Sequence, residues 1–184
     1  MPRKSIPYFR WDYIILMLPG ISGAGGNDSI MKFVCDDNLG RLARWLRTVG
    51  FDTVFNAEST DNQVLTAALS DRRIIITRDH KLAKKTLARD LILLSTTDSL
   101  EQLREVLQKC AITLELGRFF SLCPLCNVTV EYINKEDFST SIPPYVFRTK
   151  NRFTRCPRCA RIFWSGTHVE RMKERLAAAG IVVT

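Results

Sequence analysis

The chain has 184 residues, of which 46% are hydrophobic and 25% charged, and its net charge is +8. That length holds one medium domain and a small one, with enough apolar material for a core that needs no covalent staples. The longest early apolar run, Tyr13–Leu18, stops at Pro19-Gly20, far short of the roughly 20 residues of a membrane span, so no membrane partner is expected.

The first 30 residues read as an appendage. Arg3, Lys4 and Arg10 ahead of the apolar run faintly resemble a signal peptide, but the cysteine set described below would fare badly after export, and the compartment reads as cytoplasmic. Ser22–Ser29 has the Gly/Ser composition of a flexible linker. From Met31 to Cys110 strands and helices alternate. Met31–Cys35 is a strand that ends abruptly in Asp36 and Asp37. Leu39–Val49 is a helix, with Leu39, Leu42, Ala43, Leu46 and Val49 on one face and Arg41, Arg44 and Arg47 on a neighbouring one, and Gly50 stops it. Thr53–Phe55 is a short strand, and Thr60 caps a helix running to about Ser70. The β-branched run Arg73–Thr77 is a strand buried on both faces. A helix spans Asp79 to about Arg89, Leu91–Leu94 is another buried strand, and Ser99 caps a helix over Leu100–Lys109. Such alternation predicts a parallel α/β sheet with right-handed crossovers.

The character changes near Thr113, so the chain divides into an extension (1–30), an α/β domain (31–112) and a cysteine-bearing domain (113–184). In the last, Asn127–Ile133 and Ala160–Trp164 read as strands, Ile142–Tyr145 as a turn or extended stretch, and His168 to about Ala179 as a closing helix. Charge is uneven along these parts: residues 1–30 carry 3 basic and 2 acidic side chains, 31–110 carry 13 and 11, and 111–184 carry 11 and 6. A basic excess suits a polyanionic partner, nucleic acid being the usual one; solubility alone is the plainer alternative.

Two sets of residues carry chemistry. Cys123, Cys126, Cys156 and Cys159 form two CxxC knuckles, CPLC and CPRC. Four thiolates suit a tetrahedral structural Zn²⁺ and leave it no open position. Cys35 and Cys110 sit in apolar surroundings and read as core residues. The second set is carboxylates at strand ends, where open α/β sheets gather ligands: Asp36 and Asp37 after the first strand, Asp79 after the third, Asp61 at a helix start, Asp98 after the fourth strand. Asp36 and Asp79 are the strongest. Converging carboxylates repel one another unless they hold Mg²⁺ or Mn²⁺, which prefer oxygen ligands and activate water. Asp61 and Asp98 also fit plain helix-start and turn roles, and Asp37 fits a solvated one.

The segments CDDNLGRLARWLRTVGFD, ITRDHKLAK, the two knuckles and FWSGTHVERMKERL together resemble one family, the PIN-like ribonucleases with a fused zinc ribbon named for the C-terminal domain of the exonuclease Mut-seven. The resemblance covers roughly Met31–Leu176. It implies a PIN-like three-layer α/β/α parallel sheet with a C-terminal zinc ribbon, and metal-dependent hydrolysis of RNA with Asp36, Asp61 and Asp79 as catalytic Mg²⁺ or Mn²⁺ ligands. PIN domains commonly place a further acid two positions after the last of these, where this chain has Lys81.

Basic residues flank the acidic tip: Arg41, Arg44 and Arg47 on the first helix, Arg78 in the TRD turn, and Lys81, Lys84 and Lys85 beyond it. The cysteine-bearing part adds Arg148, Lys150, Arg152, Arg155, Arg158 and Arg161 among Phe147, Phe153 and Phe163. Cations with aromatic faces suit single-stranded RNA; a solvated helix face is the alternative for the cations and core packing for the aromatics, above all Phe163. His168 fits a helix cap or a packing residue better than an RNA or proton contact. The reading is a ribonuclease whose ribbon aids binding of RNA or a ribonucleoprotein. Its rivals are a non-catalytic RNA- or ribosome-binding module, which Lys81 favours, and a toxin-like partner in a protein complex.

Overall fold

The computed structural model describes residues 31–85 and 90–184. The N-terminal appendage and the last turn of the helix expected to reach Arg89 lie outside the described residues.

Four short strands, β1 (Phe33–Cys35), β2 (Thr53–Phe55), β3 (Ile74–Thr77) and β4 (Leu91–Leu93), form a parallel sheet in the order β2-β1-β3-β4. They alternate with α1 (Gly40–Thr48), α2 (Asp61–Asp71), α3 (His80–Lys85) and α4 (Ser99–Lys109). Successive strand residues point to opposite faces, and the burial follows. Phe33, Cys35, Ile76 and Ile92 pack with Leu42 and Leu46 of α1 and Leu103 and Val106 of α4. Val34 and Ile75 pack instead with Val64 and Ala68 of α2 and Leu82 of α3. The sheet is therefore covered on both sides, as its unbroken aliphatic strands demand.

The local chemistry of two helix starts is plain. Thr60 caps α2 in a capping box with Gln63. Asp98, not Ser99, caps α4: its carboxylate accepts from the amides of Leu100 (2.9 Å) and Glu101 (3.1 Å), and Ser99 is the first helical residue. These backbone donors, with a smaller contribution from Arg175, hold the Asp98 carboxyl below its ordinary range. The carboxylate after β4 is thus occupied as a cap.

Beyond residue 112 a second, antiparallel sheet runs β5-β6-β7, with β5 (Glu131–Ile133), β6 (Phe153–Arg155) and β7 (Ile162–Trp164). The strand expected from Asn127 begins only at Glu131, after an isolated bridge between Leu122 and Thr129. Ile142–Tyr145 does not stay extended, because Pro144 opens helix α5 (Pro144–Thr149), and proline is pre-organised for a first helical turn. β6 has no counterpart among the expected strands, because its three residues are too few for a visible period. The closing helix α6 (His168–Ala178) brings Val169, Met172 and Leu176 inward.

The boundary near Thr113 does not divide the core. Leu114, Phe119, Phe120, Phe163, Met172 and Leu176 belong to the same buried cluster as Leu42, Leu46 and Leu103. Gly50 lies at this junction with φ of 95°, and a Cβ there would stand 2.5 Å from the Arg118 carbonyl oxygen. Only glycine tolerates both the dihedral and that approach.

Arg47 makes the second tie. Its side chain does not face outward with Arg41 and Arg44: the residue is only 5% exposed. At about 100° of rotation per helical residue, a three-residue spacing drifts by about 60° per step, which carries Arg47 about 120° round from Arg41. Its Nε donates to the Thr53 carbonyl (2.9 Å) and its Nη1 to those of Pro124 (3.1 Å) and Leu125 (3.0 Å). The expectation that Arg47 binds RNA is corrected accordingly: its donors join α1, β2 and the first cysteine knuckle. Arg47→Met should lower stability by about 3 kcal/mol, because carbonyls in a buried setting lose a charged donor. Arg44→Ala, on the exposed face, should stay within about 0.5 kcal/mol of wild type; urea denaturation of both variants checks the contrast.

Candidate active site and metal centre

The two knuckles have the same local build. Residues immediately after the second cysteine of each, Asn127 and Ala160, adopt positive φ (56° and 60°). Each closes a turn onto the first cysteine, Asn127 N to Cys123 O and Ala160 N to Cys156 O, both 2.9 Å. The first-cysteine amides bond in turn to the Val128 and Arg161 carbonyls at 2.8 and 2.9 Å. Two such turns face each other, so that one sulfur from each of the four cysteines lies within 4.8 Å of all the others. Cys123 Sγ and Cys159 Sγ are 3.9 Å apart. A tetrahedron with metal–sulfur bonds of about 2.3 Å has sulfur–sulfur edges of roughly 3.8 Å, so the four thiols fit one zinc ion and fill its coordination.

Burial raises the Cys126 thiol and pushes that of Cys123 up to about 11. At Cys159 burial acts the same way, but the Arg161 amide and neighbouring thiols outweigh it and hold that thiol below its ordinary range. Four thiolates in one place would require a cation, which a bound dication would supply. Asn127 anchors the first knuckle to the sheet: its side-chain oxygen accepts from Thr53 N (3.0 Å), and its amide nitrogen donates to Asp52 Oδ1 (2.5 Å). Asp52 is gripped by Arg73 through two bonds of 2.8 and 2.9 Å.

At the carboxyl edge of the parallel sheet, Asp36 follows β1 and Asp79 follows the neighbouring β3 by two residues. Asp36 is buried, and its Oδ2 accepts from the Thr77 hydroxyl at 2.6 Å while its Oδ1 accepts from Asp37 N at 2.9 Å. The same Thr77 oxygen accepts from Asp79 N at 2.9 Å. Thr77, fully buried at the tip of β3, thus links the two acids. Its signal in the sequence is a lone hydroxyl ending the aliphatic run IIIT. Asp79 also closes the first turn of α3, its Oδ1 accepting from Lys81 N at 2.6 Å, and the Lys81 side chain is exposed. Asp61 is the first residue of α2 at the same edge. Among the described residues, the cysteines are the group of three or more potential ligands brought together; Asp36, Asp61 and Asp79 share an edge without forming a second such cluster.

A cleft of about 400 Å³ opens beside Asp37, lined also by Arg41, Arg44, Phe55 and Arg78. Arg41, Arg44 and Lys84 are exposed, and Arg78 half-buried. The basic residues of the C-terminal part are more varied. Arg152 and Arg158 are exposed, and Arg158 Nη1 donates to the Cys126 carbonyl at 3.2 Å. Arg155 lies over the Phe138 ring, 5.3 Å from its centroid. Phe153 and Phe163, candidates for stacking on RNA, are 2% and 1% exposed; Phe153 packs against Trp164 at 6.4 Å, so both are core residues. His168 is the first residue of α6. No local sequence pattern singles out Trp45 and Arg175, which meet across the chain with the Arg175 guanidinium 5.2 Å from the Trp45 ring centroid.

Among the described residues no helix is long and apolar enough to cross a membrane. A four-stranded parallel sheet sandwiched by helices, with carboxylates at its carboxyl edge and four cysteines gathered in one place, defines a mixed α/β protein with a candidate metal centre. The match is specific: residues 31–176 correspond to the Mut7-C RNAse domain, and the chain belongs to that family. No curated protein and no solved structure matches it.

The purified chain is expected to carry one zinc per molecule by elemental analysis. Cys156→Ser should lose that zinc and destabilise the C-terminal sheet, because metal binding at such centres contributes directly to folding. A chain containing neither zinc nor iron would remove this assignment.

Proposed function

We propose that this protein is a PIN-like, divalent-metal-dependent ribonuclease that hydrolyses phosphodiester bonds in single-stranded RNA, with its four cysteines forming a structural zinc ribbon. The observation that carries this reading is the pairing of Asp36 and Asp79 through Thr77 beside an arginine-lined cleft, in a chain of an RNase-domain family. Asp36, Asp79 and Asp61 offer hard oxygen ligands of the kind that Mg²⁺ and Mn²⁺ take. A bound ion of this kind supplies an activated water and neutralises charge at a phosphodiester.

The chain's own contribution is positioning. The Thr77 hydroxyl and the Asp37 amide occupy one lone pair on each Asp36 oxygen and fix that carboxylate's orientation. Arg41, Arg44 and Arg78 offer charge to the backbone phosphates at the cleft, and Lys84 and the exposed Arg152 and Arg158 extend that field. The zinc centre fills its own coordination and serves the architecture. Free cysteines throughout the described residues accord with a reducing, cytoplasmic setting.

A second reading is an RNA- or ribonucleoprotein-binding module without cleavage. Lys81 favours it, as does the spread of the three aspartates along the edge instead of a tight cluster. The two readings part on one variant. Asp79→Asn keeps an oxygen to accept from Lys81 N, so its stability should stay within about 0.5 kcal/mol of wild type. Under the nuclease reading it should lose Mg²⁺- or Mn²⁺-dependent cleavage of labelled single-stranded RNA by at least about a hundredfold, the scale on which catalytic electrostatics act, and EDTA should stop the wild type. Wild-type RNA binding without cleavage in either metal, across several RNAs, would establish the binding module instead.

A further inference from the structure

Beside the cleft at the acidic edge lies a second one, of about 340 Å³ and different chemistry. It runs along the outer face of α1 between that helix, α6 and the first cysteine knuckle. Pro124, Leu125 and Trp45 give it an apolar wall, and Arg175 of α6 lies over the Trp45 ring. Arg41 and Arg44 line both clefts, so the two are continuous across these guanidinium groups. Among the described residues neither arginine is paired with a carboxylate, while Trp45 is half-buried and Arg175 exposed.

An apolar slot beside a guanidinium laid on an indole, opening onto two further cations, has a definite complement. The apolar wall and the planar groups suit a nucleobase, which stacks on tryptophan or on an arginine plane. The cations suit the phosphates on either side of it. An acidic protein segment would satisfy the arginines but leave the stacking surface unused. We propose that this cleft is a base-binding subsite for single-stranded RNA, in which the Arg175 guanidinium, backed by the Trp45 indole, stacks one unpaired base while Arg41 and Arg44 hold the adjoining phosphates and lead the strand toward the Asp36–Asp79 edge. The subsite deepens the ribonuclease reading by adding a preference for unstacked bases several residues from the scissile position. It also explains why the first knuckle is fastened so firmly to α1, since Pro124 and Leu125, whose carbonyls Arg47 holds, form the wall opposite the helix.

The test is binding of the full-length, zinc-loaded chain in EDTA-free buffer without Mg²⁺ or Mn²⁺, so that cleavage plays no part. The probes are a fluorescent single-stranded oligoribonucleotide and an abasic ribose-phosphate oligomer of equal length and charge. Arg175→Ala and Trp45→Ala should each weaken the base-bearing oligomer about tenfold, in the range found for loss of one stacked base, and leave the abasic oligomer unchanged. Arg41→Ala combined with Arg44→Ala should weaken both and flatten the dependence on salt. If Trp45→Ala fails to fold, Trp45→Phe and the exposed Arg175→Ala carry the comparison. Equal binding of the two oligomers, or loss of neither with Arg175→Ala, would overturn the subsite, and so would absence of RNA binding at low salt, which would point to a protein occupant. Because the readout is affinity, a normal stacking effect in a protein that cleaves nothing would leave the subsite standing while the nuclease reading falls. Normal cleavage with unaffected affinities would do the reverse.

Discussion

A guanidinium with no carboxylate in its hydrogen-bonding shell sits at the centre of this molecule. Arg47 is buried and gives its protons to three carbonyl oxygens on two different parts of the chain. Burial lowers its pKa from the ordinary arginine value, against the opposing influence of Cys35, Cys123, Cys126 and Asp52, yet arginine stays charged in proteins. Removing such a charge from water costs several kcal/mol. That cost is offset only while α1, β2 and the first knuckle stay together. The neighbouring cysteines supply a further reason for a cation here: four thiolates around one dication would carry a net charge of −2, and Arg47 interacts electrostatically with two of the four, Cys123 and Cys126. The packing of the α/β part and the placing of the first knuckle are in this way mutually dependent.

The dependence runs through one helix. The inner stripe of α1 fills the core shared by both parts of the chain. Its outer face carries Arg41, Arg44 and Trp45 into two adjoining clefts. Its last turn presents Arg47 to the knuckle and hands over to Gly50, where the Arg118 backbone approaches too closely for any side chain. The amide of Phe120 bonds to the Thr48 carbonyl at 2.7 Å, so the segment leading into the first knuckle starts from the end of α1. A helix of nine residues is marginal alone; here it is held on three sides and so offers a rigid platform for its exposed arginines.

At the other end of the sheet the constraint is electrostatic. Two carboxylates on adjacent parallel strands repel each other, and the fold answers with short polar bonds. Thr77 donates to one acid and accepts from the backbone of the next, while Asp79 is further employed in the first turn of α3. The Asp98 carboxylate, one loop away, is absorbed entirely by the amides of α4. Carboxylates that look alike along the chain therefore separate into a buried one, a turn-closing one and a helix cap according to the donors each meets.

The sequence by itself determined the class of the fold and which four cysteines come together. Aliphatic strands alternating with amphipathic helices admit few arrangements other than a covered parallel sheet, because both strand faces must be buried. Two CxxC turns carry their ligand geometry within four residues each, so their pairing needed only that the chain return. The strand-end positions of Asp36 and Asp79 were legible for the same reason: each lies within two residues of a strong local pattern. What depends on contacts between distant segments was decided only by the tertiary structure. The inward turn of Arg47 follows from helical drift together with carbonyls 77 and 78 residues away. The single core across Thr113, the β6 strand and the pairing of Trp45 with Arg175 likewise join residues that no local period relates. Periodicity tells which side of a helix is apolar, but a cation at the margin of that stripe faces solvent or the interior according to what the rest of the chain brings against it.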